Sequence, residues 1–334
     1  MTTFPIEITK LYHLRYLSLR DTAVSSVPRS IVNLRHLETL DLKRTLVREL
    51  PSEILRLQCL RHVIVYGYGS LPNMIPHGLK ALKGIDSLSS LRKLCAVEAK
   101  LGETELLISI GRLTQLTMLC ILQLGVEHGD ALCSSIHKLK FLRSLRLDSR
   151  SDDETLSLEF ISSSSLQLLQ RLIIVGRVVE NSQERLQNLT NLSILYLSGS
   201  KLQVDPLKSL QALPNLVSLS FDDRAYDGQS LCFKAGGFLM LRKLYIVTAK
   251  NLRRMTVEDK ALPHLELMCL ENCKLLEETP LGIERLKNLQ HLFLIDMAME
   301  LRTTIYRGSQ HENYLKIMHI PGIYIGTGDD GHWL

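Results

Sequence analysis

Six residues near the C-terminus have the spacing of a phosphate-binding loop. Gly326-Thr327-Gly328-Asp329-Asp330-Gly331 fits GxGxxG, a pattern in which glycines let backbone N–H groups close on a dinucleotide pyrophosphate. That chemistry also requires a strand before the loop and a helix after it, with the helix N-terminus facing the phosphates. Only His332, Trp333 and Leu334 follow, so the segment is expected to be a flexible tail. Cys269 and Cys273 stand four apart. None of the seven cysteines forms a CxxC pair and none of the eleven histidines stands at HExxH spacing, so no zinc or redox site is indicated. Asn188-Leu189-Thr190 and Asn191-Leu192-Ser193 fit the glycosylation sequon, but their central leucines occupy the periodic apolar positions described below. No Ser/His/Asp set can be nominated. The sequence therefore nominates no catalytic residue, no metal ligand and no cofactor site, and the expected activity is binding, not catalysis.

What remains is the chemistry of non-covalent contact. The formal net charge of +5 is mild and demands neither nucleic acid nor a membrane. Its distribution says more. Residues 1–100 hold 15 of the 40 Lys and Arg but only 8 of the 35 Asp and Glu, so the positive excess lies at the N-terminal end. The start, Met1–Lys10, has no apolar core of signal-peptide length. No run of 18 apolar residues occurs, so no membrane span is expected. The expectation is a cytoplasmic protein with reduced thiols.

These side chains must be positioned by something, and the pattern LxxLxxLxL does it. It recurs twelve times, beginning at Leu11, Leu34, Leu57, Leu88, Leu113, Leu139, Leu166, Leu189, Leu213, Phe238, Leu262 and Leu286. Most spacings lie within the range of about 20–29 residues that marks leucine-rich repeats. In each LxL the two apolar residues share one face of a short strand and the residue between them faces outward. A segment such as Leu50-Pro51-Ser52-Glu53-Ile54-Leu55-Arg56-Leu57 forms the other side, with Ile54 and Leu57 at helical spacing. One repeat cannot bury enough surface to fold alone, so neighbours must stack. The predicted fold is an α/β leucine-rich-repeat solenoid, a horseshoe with parallel strands on the concave face and an irregular, short-helical convex side. Residues 1–298 make the repeat domain, and 299–334 a tail that adds a strand and then becomes disordered.

Departures from the period are expected at loops. Tyr66-Gly67-Tyr68-Gly69-Ser70 with Leu71-Pro72-Asn73 is turn-rich. Ser149–Thr155, with Asp152-Asp153-Glu154 as a solvated stretch, and Asp222–Gly237 read as two more excursions. Phe4–Leu11 matches Leu50–Leu57 position by position, so the chain opens inside a repeat. It is therefore a fragment of something longer, or a partner covers its first edge. Cys273 falls where such repeats accept Asn, Cys or Thr inside the turn, which indicates a structural thiol.

The form LxxLxxLxLxxTxVxxVP at Leu11–Pro28 resembles the intracellular leucine-rich repeats of plants. Leu132–Leu145, Ala225–Phe238, Ala261-Leu262-Pro263-His264-Leu265-Glu266 and His319-Ile320-Pro321 belong to the same pattern. Together they resemble the C-terminal repeats of cereal disease-resistance proteins of the coiled-coil, nucleotide-binding, leucine-rich-repeat (NLR) class. No GxxxxGK[ST] occurs in the sequence, so the family's nucleotide-binding domain is not within it. The resemblance implies a recognition module for a protein partner: a pathogen effector, a guarded host protein, or the nucleotide-binding domain of a receptor. A free-standing intracellular leucine-rich-repeat scaffold is the alternative, separable by an in-frame nucleotide-binding domain upstream. Nucleic acid is not an expected partner, because the basic residues are mixed with Glu38 and Asp41.

Two groups are expected to touch partners. Residues just outside the LxL leucines at the basic end should point from the concave strands: Arg15, Arg20, Lys43, Arg44, Arg61, Arg92 and Lys93. In the C-terminal half the outward positions hold Tyr196, Tyr245 and Phe293, where repeats one and two have Ser18 and Asp41. Ile173 and Ile194 share the face. Large aromatics close together on an exposed face are typical of binding hot spots.

Overall fold

The computed structural model describes the chain apart from residues 66–77, 81, 163–165, 181, 307, 328–331 and 334, with Ser162, His332 and Trp333 described by backbone alone. The turn-rich segment at Tyr66–Asn73 and most of the GxGxxG segment lie outside the described residues. The chain divides into two compact units, Met1–Leu169 and Gln170–Leu334.

In unit 1 the strands are β1 (Tyr16–Ser18), β2 (Thr39–Asp41), β3 (His62–Ile64), β4 (Lys93–Glu98), β5 (Met118–Leu124) and β6 (Ser144–Ser149). They pair in parallel and in chain order. The register stacks like on like: Leu17, Leu40, Val63, Leu94, Leu119 and Leu145 lie side by side, and all are buried. One carbonyl before each strand accepts two N–H groups from the next repeat. Arg15 O takes Glu38 N at 2.8 Å and Thr39 N at 3.0 Å, and Glu38 O takes Arg61 N at 2.8 Å and His62 N at 2.9 Å.

In the first repeats proline starts the opposite side. Pro28 and Pro51, at φ −74° and −66°, lead into 3-10 helices Arg29–Asn33 and Ser52–Arg56. The ring pre-sets φ for the first turn, where no N–H is needed. Ile31 and Ile54 then point inward and are fully buried. Past β1 and β2 the chain turns through a left-handed residue, Asp21 and Arg44. The hydroxyls of Thr22 and Thr45 close these turns by donating to Leu19 O at 2.7 Å and Leu42 O at 2.8 Å. Leu11, by contrast, is 54% exposed.

Unit 2 repeats the scheme with β7 (Arg171–Val175), β8 (Ile194–Ser198), β9 (Ser218–Asp222), β10 (Lys243–Val247), β11 (Leu267–Glu271), β12 (His291–Ile295) and β13 (Gly322–Gly326). All are parallel. Helices Met299–Thr304 and Glu312–Ile317 lead into β13, and His332–Trp333 returns antiparallel against Tyr324 and Ile325. That backbone pairing replaces the flexible end expected for those two residues.

Two further expectations are corrected. Asp222–Gly237 is not a plain loop, since Ser230–Phe233 pairs in parallel with Arg254–Val257. Leu231, Phe233, Met255 and Val257 alternate inward and are buried there. Its Asp and Gly residues read as turn, but alternation over four residues was enough for a strand. Nor is Asp152-Asp153-Glu154 wholly solvated. The Glu154 carboxylate takes Arg150 and accepts Val126 N–H at 3.0 Å, while Arg150 also holds Glu127 at 2.9 Å.

Candidate functional site

The seven basic residues of unit 1 do not form one strand-borne patch. Only Lys93 lies within a strand. Arg15, Arg61 and Arg92 each immediately precede one, and Arg20, Lys43 and Arg44 follow one. Arg44 occupies the left-handed turn after β2, with φ 56°, and reaches back to Asp21. Arg15 and Arg61 close on the same Glu38, at 2.8 and 3.3 Å. Arg20 donates through Nε and Nη2 to Asp41 Oδ2, at 3.1 and 2.8 Å, and so covers a carboxylate that is 2% exposed. Lys43 gives its backbone N–H to Asp41 Oδ1 at 3.0 Å. Four of the seven cations are thus paired within the chain, but Arg15 and Arg61 share the single charge of Glu38, which leaves one positive charge of that trio uncompensated. The field that remains surrounds His62, whose imidazole pKa is lowered by burial and then by Lys93, Arg92 and Arg61. The basic surface is concentrated at Arg61, Arg92 and Lys93.

In unit 2 the alternation works as expected. The register sets Ile173 beside Tyr196, Tyr196 beside Ser220, and Ser220 beside Tyr245. The row continues through Cys269 and Phe293 to Tyr324. Ile194 stands in the adjoining row with Ser218, Lys243, Leu267 and His291. Ile173, Ile194, Tyr196, Tyr245, Phe293 and Tyr324 are all half-buried, while their strand neighbours Leu172, Leu195, Leu244 and Leu292 are buried completely or nearly so. Three rings at one end are in contact range: Phe293 lies 5.9 Å from Tyr324 and 6.4 Å from His291 between centroids.

Sequence reasoning missed three features here. Tyr324 extends the row, and the alternation Ile323-x-Ile325 could have disclosed it. Cys269 sits between Tyr245 and Phe293 in the row, 8% exposed, with its thiol pushed up to about 12, chiefly by burial. Burial also raises the Tyr245 phenol, with a contribution from Cys269. Both groups are therefore neutral at pH 7. The third feature is an acidic border. Asp222 and Glu271 end β9 and β11 beside the row, and Asp222 accepts the Tyr196 hydroxyl. Cys273 plays the turn role anticipated for it, fully buried with Sγ 3.4 Å from Glu271 O and 3.7 Å from Ile246 O. Among the described residues no three His, Cys, Asp or Glu side chains are placed to share a metal ion. No helix among them is long and apolar enough to cross a membrane.

One parallel strand per repeat, in register, with an apolar ladder on one side and short helices on the other, defines a leucine-rich-repeat solenoid. The chain belongs to this family: the family model described as a leucine-rich repeat region matches residues 6–307. It is homologous over most of its length to plant disease-resistance proteins of the NLR class. It is 36% identical over 240 residues to Disease resistance protein RPM1 of Arabidopsis thaliana, covering 72% of this chain and 25% of that protein. To Probable disease resistance RPP8-like protein 2 of the same plant it is 29% identical over 327 residues, covering 96% and 34%. To Disease resistance protein RPP8 the identity is 28% over 322 residues, covering 96% and 34%. The chain thus spans about a third or less of the length of these curated relatives. Among solved structures, an internalin (inlF) from Listeria monocytogenes matches with a TM-score of 0.55 at 17% identity, over 80% of this chain and 71% of that one, a likeness of fold.

Proposed function

We propose that this chain is the protein-recognition module of a plant intracellular immune receptor, that it acts in the cytoplasm, and that it binds without catalysing a reaction. The observation that carries this is the row of half-buried apolar and aromatic side chains on the open sheet face of unit 2. A core has no use for side chains that alternation turns away from it, and clustered aromatics supply large contact area at low entropic cost. The partner classes are a pathogen effector, a guarded host protein and the nucleotide-binding domain of a receptor. For the last of these, the basic surface at Arg61, Arg92 and Lys93 offers a second, electrostatic contact. The homology to disease-resistance proteins supports this setting.

The test is a pull-down from infected plant tissue with the parent chain and with the variant Tyr196→Ala, Tyr245→Ala, Phe293→Ala, followed by binding measurements on each captured protein. Loss of binding with an unchanged melting temperature is the expected result. Full binding by the triple variant removes this face from consideration.

A further inference from the structure

Unit 1 supplies its own carboxylates with cations. Asp41 faces Arg20, Glu38 faces Arg15 and Arg61, and Asp148 takes two guanidinium nitrogens of Arg146 at 2.8 and 2.7 Å. Glu271, on the open face of unit 2, is arranged differently. It closes β11 beside the row that holds Tyr245, Cys269 and Phe293, and it is half-buried. Its neighbours in register are Val247 and Ile295, both apolar. Burial raises its pKa, and the charged groups that add to the effect are Asp222 and Asp296, both acidic. Three carboxylates therefore border an apolar surface, and among the described residues no cation offsets the charge on Glu271. Across the same sheet, Arg171 and Lys243 begin β7 and β10 and are exposed. The face is polarised: basic where strands enter, aromatic along the middle, acidic where they leave.

Resting on the reading that this face binds protein, we propose that its occupant is an extended polypeptide segment alternating apolar side chains with Arg or Lys. The apolar groups lie on Tyr245, Phe293 and Tyr324, and one cation enters between Glu271, Asp222 and Asp296. A carboxylate held among apolar neighbours has already lost part of its hydration, so an arriving cation gains more there than at an exposed acid. The aromatic row adds attraction for a guanidinium lying against a ring face. An acidic segment meets repulsion from three carboxylates, and Arg171 and Lys243 disfavour the cation at the other border, which fixes how the segment lies.

The experiment is fluorescence anisotropy on the full chain with two labelled probes, an alternating leucine–arginine octapeptide and its leucine–glutamate counterpart. The leucine–arginine probe is expected to bind and the other not. The pair Glu271→Gln, Asp296→Asn should weaken binding at least about tenfold. The pair Tyr245→Ala, Phe293→Ala should weaken it as well. Glu271→Gln removes a charge that burial disfavours, so a melting temperature no lower than the parent's shows that the acidic-pair variant is folded. No binding of the leucine–arginine probe, equal binding of the two probes, or an unchanged affinity in the acidic-pair variant overturns the proposal. If the aromatic variant alone loses the probe, the reading of the row as a binding face stands without it. Loss in the acidic variant with none in the aromatic one overturns the reading of the row, and the proposal with it.

Discussion

The hydroxyl of Tyr196 on β8 donates a hydrogen bond to the carboxylate of Asp222, 26 residues further along the chain and one strand away. The bond ties the aromatic row to its acidic border. It holds the phenol on the open face and orients a carboxylate whose other oxygen accepts Asp223 N–H at 2.8 Å. Tyr196→Phe keeps the ring and removes the donor. It should cost about 0.5–1.5 kcal/mol of stability, read by chemical denaturation. A larger loss would mean that the hydroxyl supports more than this one bond.

The buried ladder predicts a steep contrast between neighbours. Leu145 and Leu195 are 0% and 1% exposed, and each stacks on its counterparts in adjacent strands. Replacing either by Ala leaves a cavity and should cost about 2–5 kcal/mol. Ser144, one residue from Leu145 and on the other face, should cost under about 0.5 kcal/mol when replaced by Ala. Equal losses at Leu145 and Ser144 would contradict the assigned alternation.

The cations of unit 1 should separate into two classes. Arg20→Glu places like charge against the buried Asp41 and should lower the melting temperature, because a buried carboxylate loses its donors. Arg15→Glu should lower it less, since Glu38 keeps Arg61. Reversing Arg61, Arg92 and Lys93 should instead weaken association with an acidic nucleotide-binding domain of a relative, more at low salt than at high. Unchanged binding, measured by titration at two ionic strengths, would remove that surface.

Carboxylates of the two units should respond to pH with opposite sign. Hydrogen bonds from Arg150 are the chief reason that the Glu127 pKa is lowered to about 2 and that Glu154 is lowered as well. Their contribution to stability is complete above the usual carboxylate range and is lost as pH falls through that range toward about 2. Glu271 is raised by burial, Asp222 and Asp296, so its ionisation opposes folding and the cost vanishes once it is protonated. Arg150→Gln should therefore lower the melting temperature at neutral pH, with the difference shrinking below about pH 4. Glu271→Gln should raise it at neutral pH, and the advantage should fade on acidification. Parallel curves for variant and parent would contradict either assignment.

Much of the architecture was legible in the sequence, because it rests on local rules repeated twelve times. The spacing of Leu14, Leu17 and Leu19 sets which side chains face inward wherever the backbone is extended, and alternation sends Tyr196, Tyr245 and Phe293 the other way whatever the neighbours are. Proline at positions 28 and 51 likewise marks the helical turns by its own φ. Contacts between repeats follow a different logic. Whether Arg15 is a free cation depends on Glu38, 23 residues away, and whether Arg20 is available depends on Asp41. The acidic border at Glu271 arises because apolar Val247 and Ile295 flank it, while Asp222 and Asp296 add like charge. Ser230–Phe233 became a strand because Arg254–Val257 lies alongside to pair with it. Side-chain direction is a property of the residue and its strand, so sequence alone determined the ladder and the row. Charge, burial and edge pairing depend on what the next repeat sets beside them, and only the tertiary structure decided those.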